Sequence, residues 1–450
     1  MPYTFKVKTL GCPVNQYEGR ALELAMKEAG FVPADDIADI YIINSCVVTQ
    51  SAAAEARRLA SQAKKENPRS LVVLAGCYPQ VYWKEIKERL PLVDIIIGTT
   101  GRSRLPDIIA RHLSENHREQ EVIIVEHEPG EEFEDFPLTG NYGRTRPVLK
   151  IQEGCDESCT YCIVRKARGL PRSLAPEKVI ARVKHFLDKG CREIVLAGTH
   201  LGTYGKDFPG WNLARLIKEL DSLAYPFRLR LSYIEPMDIS TDFLETIAWA
   251  QKICPFLYLP LQSGSDRILR RMGRRYTSAD FARLVQQAKE LMPGLSIWSD
   301  LIVGFPGETE EDHRQTMRLV ERLALSHVHV FPYSPRPGTE AASYPDQVAP
   351  DVKKRRVREL RALDEELSLR FNRQLVGKEV QVLVEKIDEN HGEGFSEHYV
   401  KVRFPVLDPE LKKGFLVPVR IRSASSWGVE GYTSLEGPAG TATRKGPEAH

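Results

Sequence analysis

No stretch of the 450-residue chain approaches the ~20 consecutive apolar residues that a membrane-spanning helix requires. Met1 to Leu10 alternates polar and apolar side chains and lacks the apolar centre of a secretion signal, so the expected compartment is the cytoplasm, with no membrane partner. Charge of one sign is also missing. Lys plus Arg total 63 against 61 Asp plus Glu, and a net charge of +2 makes no whole-chain case for a polyanionic partner. Any nucleic-acid site must come from local patches. Eight cysteines are too few for a disulfide scaffold, and a reducing cytosol keeps them as thiols. With 42% hydrophobic and 28% charged residues the chain is an ordinary globular one, and its length suggests about three domains.

What is present is a pattern of cysteines set on a pattern of strands. Apolar runs at Thr4–Leu10, Asp39–Ile43, Leu71–Ala75 and Asp94–Ile97 read as strands. Helical periodicity over Glu18–Ala29 and Ala52–Glu66 lies between them, and this alternation implies a parallel sheet. Cys12, Cys46 and Cys77 each fall just past the carboxyl end of a strand, the edge where open α/β sheets bind ligands. The acidic, Pro- and Gly-containing stretch Glu126–Gly140 reads as a linker.

A second series follows. Val148–Ile151, Ile194–Ala197, Leu229–Ile234, Phe256–Leu261, Leu295–Val303 and Val328–Phe331 read as strands, with helical stretches such as Pro176–Lys189 and Ser278–Leu291 between them. Six β-α units in about 220 residues suggest a partial barrel that carries its chemistry at the strand ends. Asp351–Arg373 is one charged helical pattern. Beyond it Glu379–Glu385, His398–Phe404 and Phe415–Arg422 alternate with period two, as in a small all-β barrel of the oligonucleotide-binding type. The expected organisation is α/β: a parallel-sheet domain over 1–125, a (β/α)6 core over 141–371, an all-β barrel over 372–437 and a disordered tail over 438–450.

Cys155, Cys159 and Cys162 form a C-x3-C-x2-C triplet. Zinc or plain buried thiols are the alternatives, but structural zinc wants four ligands and no fourth Cys or His lies nearby in the sequence. Three thiolates on one loop suit three irons of a 4Fe–4S cluster whose fourth iron stays open. The spacing, with Tyr161 before the last cysteine, resembles the radical S-adenosylmethionine superfamily. That resemblance implies S-adenosylmethionine chelated at the open iron and cleaved by one electron to a 5′-deoxyadenosyl radical. It makes Tyr161, Gly198, Thr199, Glu235 and Gln262 the candidate cofactor contacts, four of them just past strand ends. Cys12, Cys46 and Cys77, at equivalent ends of one sheet, read as the ligands of a second open-iron cluster.

The chain as a whole resembles the methylthiotransferases. The residues that carry this are Leu10-Gly11-Cys12, Asn44-Ser45-Cys46, Gly76-Cys77, the triplet, and a C-terminal segment similar to TRAM. The segments Cys12–Glu18, Gly198–Gly205, Leu231–Pro236, Leu259–Asp266 and His329–Thr339 resemble the branch acting on N6-threonylcarbamoyladenosine in tRNA. Pro13 and Arg165-Lys166 depart from the usual pattern, in which Lys and Pro-Tyr stand there. The resemblance implies methylthiolation of adenine C2 in the anticodon stem-loop. One S-adenosylmethionine would give a methyl group, another the radical, and an electron donor would be a partner. The sister activity on isopentenyladenosine and a non-catalytic iron–sulfur RNA-binding protein are the rival readings. Three Cys per cluster argue against simple electron transfer, which normally uses four.

Basic runs at Arg165, Lys166, Arg168 and Arg172, at Arg267–Arg275, and at Lys353–Arg358 suggest phosphate contacts. A threonylcarbamoyl group carries a carboxylate, which a planar Arg matches better than Lys. Arg336, past the sixth core strand, is the candidate for it, with Arg165 as the alternate. Cys191 and Cys254 read as buried thiols.

Overall fold

The computed structural model describes residues 2–115, 119–136 and 145–433. The disordered tail expected over 438–450 lies outside the described residues. The N-terminal sheet is wholly parallel, with six strands in the spatial order Val32–Pro33, Thr4–Thr9, Ile40–Ser45, Leu71–Gly76, Ile95–Ile97 and Glu121–Ile123. Four of these match the apolar runs. The two edge strands span two and three residues, too short for any periodicity to show.

Ile40–Ser45 and Leu71–Gly76 are buried at every position, because helices cover both faces. Ile40, Ile42, Val73 and Ala75 meet one side, which carries the helix Pro13–Glu28. Tyr41, Ile43, Val72 and Leu74 meet the other, where the helix Gln50–Glu66 lays Ala53, Ala56, Ala60 and Ala63 on the sheet. Thr49 starts that helix by accepting the Ala52 N–H at 3.2 Å.

The core has six parallel strands: Val148–Glu153, Glu193–Gly198, Arg228–Leu231, Phe256–Tyr258, Ser296–Val303 and His327–Pro332. The first three pair in order, as do the last three, and the bridge Leu229–Ile253 joins the halves. The free edge of the first strand takes the short antiparallel strand Arg172–Ser173, so the barrel stays open there.

The stretch read as a linker is instead a fitted strap as far as residue 136, and 137–140 lie outside the described residues. Phe136 is buried, the Lys150 ammonium stands 4.7 Å over the Phe133 ring, and Asp135 pairs with Lys178 and Arg182. Its acids signalled solvent, but they meet cations of the core, and its two phenylalanines supply the burial.

Under the strap lies the ionic joint between sheet and core. Glu18, on the first helix, accepts from Arg102 Nη1 at 2.8 Å, from Lys150 Nζ at 3.0 Å and from Arg168 Nη2 at 2.9 Å. Glu153 accepts from Lys150 at 2.8 Å and from Arg168 at 2.6 Å. All five side chains are buried. Burial alone would raise the Glu18 carboxyl, but Arg102, Arg168 and Lys150 outweigh it and hold it well below the usual carboxylate range.

The helix Pro350–Arg373 leads to a closed barrel. Its strands run in the order Glu379–Ile387, His391–Phe395, Lys401–Pro405, Gly428–Thr433 and Leu416–Ser425 around Val382, Val402, Phe404, Val419 and Val429. Sequence periodicity reveals three of these five strands. Glycines at 392, 394, 428 and 431 blur the alternation in the other two. Arg228 and Arg230 dock the barrel by donating to the carbonyls of Gln381, Phe395, Ser396 and Glu397. Burial would raise Glu193 between them, yet Arg230 and Arg228 hold it down to about 2.

Two outcomes follow from these joints. Glu18→Ala leaves buried cations short of an anion and should lower stability by about 3–5 kcal/mol. A denaturant midpoint within error of the parent would refute the joint. His398 lies at the barrel–core contact, 6.2 Å from the Phe371 ring. Burial, then Lys378 and Arg230, pull its imidazole down to about 4. The unfolded chain therefore takes up a proton near pH 6.5 that the folded chain refuses. This stabilisation is full above pH 6.5 and declines as pH falls toward 4, by about 3 kcal/mol. Melting curves across that window should flatten in His398→Gln, and a slope equal to the parent's would refute the assignment.

Candidate functional site

Both sheets deliver their unusual residues to carboxyl-terminal strand ends. Cys46 and Cys77 follow Ile40–Ser45 and Leu71–Gly76 directly, and Cys12 follows Thr4–Thr9 across Leu10-Gly11. Gly11 holds φ +103°, and a side chain there would bring a Cβ to 2.7 Å from that of Cys46. The Asn15 amide donates to the carbonyls of Leu10 at 2.8 Å and Ser45 at 3.1 Å, which ties two cysteine-bearing turns together. Burial first, then the neighbouring Cys77 and Cys12 thiols, push the Cys46 thiol up to about 12. The three thiols are thus electrostatic neighbours although 34 and 31 residues separate them in turn.

The triplet sits on the loop leaving the first core strand. The Cys155 N–H donates to the Gly169 carbonyl at 3.0 Å, and the Cys162 N–H to that of Cys159 at 3.0 Å. Thr160 anchors the loop to the carbonyls of Met272 and Arg271. Tyr161 packs edge-on to Phe305 at 6.3 Å, with the Arg274 guanidinium 5.8 Å from its ring. Arg274 also donates to Glu235 at 2.7 Å.

The other expected cofactor contacts stand at strand ends of the core in different settings. Thr199 offers its carbonyl to the Tyr233 hydroxyl at 2.5 Å. Gln262 holds φ +66°, a conformation costing about 1–3 kcal/mol outside glycine. Gly198 serves packing: a Cβ there would come within 2.8 Å of Gln152 Oε1 and 3.0 Å of the Leu201 Cα.

Sequence distance hid several neighbours. His200 brings Nδ1 to 3.5 Å from Cys155 Sγ, with Nε2 on Asp238 at 2.5 Å, so a histidine does approach the triplet. With Asp156 these make a metal-competent trio, but it holds one thiol of the three. Tyr233 lies within electrostatic reach of thiols from both sets. Burial raises its phenol well above the ordinary value, and Cys12 of one set and Cys155 and Cys162 of the other add to that.

Much of the expected basic surface is spent internally. Arg168, Arg172, Arg274 and Arg356 are buried, and Arg267, Arg271 and Arg275 pair with Asp312, Asp346 and Glu157. Arg165 stays exposed. Arg336 is buried with its guanidinium 5.4 Å from the Tyr82 ring, and its Nε has no hydrogen-bond partner among the described residues. The signals that could have exposed the buried ions were Lys150 in an otherwise buried strand and Glu18 on the apolar helix face of Tyr17, Ala21 and Leu22.

The donor chemistry fits iron–sulfur clusters. Burial raises the Cys77 and Cys155 thiols as well as that of Cys46, so these sulfurs are stable as thiolates only when a cationic centre takes them. Buried Arg274 Nε, beside Tyr161, lacks a partner among the described residues and leaves polar capacity for a cofactor.

Residues 149–320 match the radical SAM superfamily and residues 4–98 the uncharacterized protein family UPF0004. The threonylcarbamoyladenosine tRNA methylthiotransferase MtaB of Bacillus subtilis (strain 168) is 38% identical over 442 residues, covering 96% of both chains. The protein of that name from Thermotoga maritima is 36% identical, covering 95% of this chain and 96% of its own. A tRNA-2-methylthio-N(6)-dimethylallyladenosine synthase of Moorella thermoacetica is 35% identical, covering 95% and 98%. Among solved structures, the radical S-adenosylmethionine methyltransferase TsrM from Kitasatospora setae shares the fold, with TM-score 0.55, 15% identity and coverage of 76% and 77%. The superfamily implies a 4Fe–4S cluster and S-adenosylmethionine. With its thiol triplet, its sheet of strand-end cysteines and relatives matching nearly end to end, the chain belongs to the tRNA methylthiotransferase family of radical S-adenosylmethionine enzymes.

Proposed function

We propose that this enzyme converts N6-threonylcarbamoyladenosine in the anticodon stem-loop of tRNA to its 2-methylthio form, in the cytoplasm and with an electron donor as partner. This reading is supported by a contact between the two thiol sets: Arg168, six residues past Cys162, donates to Cys77 Sγ at 3.1 Å, and its neighbour Gly169 accepts the Cys155 N–H at 3.0 Å. In it Cys155, Cys159 and Cys162 hold one 4Fe–4S cluster, and Cys12, Cys46 and Cys77 hold a second. When bound, the clusters and S-adenosylmethionine supply the sulfur, the methyl group and the radical chemistry at adenine C2. The chain's own residues orient these groups. Tyr161, Gly198, Thr199, Glu235 and Gln262 form the cofactor side, and the strand-end turns clamped by Asn15 form the sulfur side.

Identity alone separates the two nucleosides poorly, at 38% and 36% against 35%. Arg336 favours threonylcarbamoyladenosine. A buried guanidinium with an unmatched nitrogen suits a carboxylate, which the isopentenyl group lacks. Arg165, exposed beyond the triplet, is the alternate partner. For the RNA itself, the C-terminal barrel exposes Trp427 with the Lys401 ammonium 5.8 Å from its ring, at the turn of a hairpin whose strand Leu416–Ser425 carries exposed Arg420 and Arg422. An aromatic face among cations is a stacking platform for single-stranded bases.

Nucleoside mass analysis of tRNA from a strain lacking this gene, before and after complementation, tests the reading directly. Restoration of the isopentenyl derivative alone would replace it with the sister activity. Cys159→Ala should abolish 5′-deoxyadenosine formation. Cys46→Ala should keep that formation, lose the methylthio product and bind about half the iron. Full thiolation by Cys46→Ala would refute the second cluster. Arg336→Ala should weaken binding of an anticodon stem-loop carrying the threonylcarbamoyl group by roughly 1.5–3 kcal/mol and leave the unmodified loop unaffected. Equal losses on the two RNAs would assign Arg336 to phosphate.

A further inference from the structure

Arg168 lies six residues past Cys162, at the end of the short helix Val164–Arg168. By sequence it belongs to a basic run, yet its side chain is buried and points away from solvent. Its Nε donates to Cys77 Sγ at 3.1 Å. Nη2 donates to Asn15 Oδ1 at 2.6 Å and to Glu18 at 2.9 Å, and Nη1 donates to Glu18 and Glu153. All three nitrogens are therefore used, and the planar fork fixes the direction of each bond.

Cys77 is itself a strand-end cysteine, and Asn15 and Glu153 border cysteine-bearing turns. Glu153 precedes Cys155 by two residues, and Asn15 clamps the turns of Cys12 and Cys46. Gly169, next to Arg168, accepts the Cys155 N–H. One residue thus touches a sulfur of the N-terminal set through its side chain, and its backbone neighbour pins the first cysteine of the triplet.

Charge makes the contact more than geometric. In the buried joint, four cations (Arg102, Lys150, Arg168 and Arg172) face Glu18 and Glu153, and Arg172 also reaches Glu131. Arg168 is the cation of this group that also touches a thiol, so its positive charge lies directly against Cys77. A cluster held by three thiolates is a net anion, and hydrogen bonds and charge at its sulfurs set its potential.

We propose that Arg168 is a positioning residue that couples the two cluster sites, holding the N-terminal cluster in register with the radical loop and raising its reduction potential through Cys77. This rests on the reading of Cys12, Cys46 and Cys77 as cluster ligands.

The test uses the full-length chain with Cys155, Cys159 and Cys162 replaced by Ala, so that only the N-terminal cluster is loaded. Iron content and an EPR-monitored redox titration are then compared with and without Arg168→Lys, which keeps the charge but loses the fork. A second variant, Arg168→Gln with Glu18→Gln, removes cation and anion together and leaves the net charge of the joint unchanged. Iron should stay bound and the potential should move negative, further in the double variant. In the enzyme with all six cysteines, product formed per 5′-deoxyadenosine should fall about tenfold while S-adenosylmethionine cleavage persists. Arg58→Lys, an exposed arginine paired with Glu55 outside the joint, should change neither readout. Bound iron with an unshifted potential and an unchanged product ratio overturns the role of Arg168 alone. A chain that fails to fold in both variants assigns Arg168 to stability and overturns it too. No iron in the parent background ends the second-cluster reading, and this inference with it.

Discussion

Glu18 receives hydrogen bonds from three cations in a place without water, and the arrangement of the rest follows from that. One cation, Arg102, belongs to the N-terminal sheet, while Lys150 and Arg168 belong to the core. Two surfaces joined only by apolar contact could slide, because dispersion and hydrophobic burial have no preferred direction. Charge-assisted bonds do, and a guanidinium enforces angle as well as distance. The joint therefore fixes how the carboxyl ends of one sheet face those of the other. Replacing it with apolar groups of equal volume would cost the fold little, but the orientation would be lost.

The same logic recurs at the other end of the core. Arg228, Arg230 and Glu193 turn the C-terminal barrel into a fixed extension, because the outer nitrogens of the two arginines reach the backbone carbonyls of Gln381, Phe395, Ser396 and Glu397. Several arginines of the basic runs are consumed in buried ion pairs. The cations that stay exposed include Arg165 beside the radical loop, Arg270 and Arg358, and Lys401 stands by Trp427 on the barrel. A nearly neutral chain can thus bind a polyanion locally without a basic surface overall.

Much of the architecture was legible in advance. Strands such as Ile40–Ser45 and Leu71–Gly76 show as apolar runs because both faces are buried, and the triplet shows because its ligands lie on one loop. The strap was misread because composition reports charge without reporting its partners, and Asp135 finds Lys178 and Arg182. Arg168 was misread for the same reason: its partners Glu18 and Asn15 lie some 150 residues away. His200 beside Cys155 was missed across 45 residues.

From the sequence alone it follows that Cys12, Cys46 and Cys77 lie just past the carboxyl ends of their strands and that Cys155, Cys159 and Cys162 share one loop. Those are local facts, set by spacing along the backbone and the period of apolar side chains. Tertiary contact adds that Arg168, six residues past Cys162, reaches the Cys77 sulfur and two carboxylates, and that Arg336 is buried with an Nε that lacks a partner among the described residues. Those facts depend on which charges meet when two surfaces close. The energy of a buried ion pair comes from the exclusion of water around it, and no linear pattern of residues records where water will be absent.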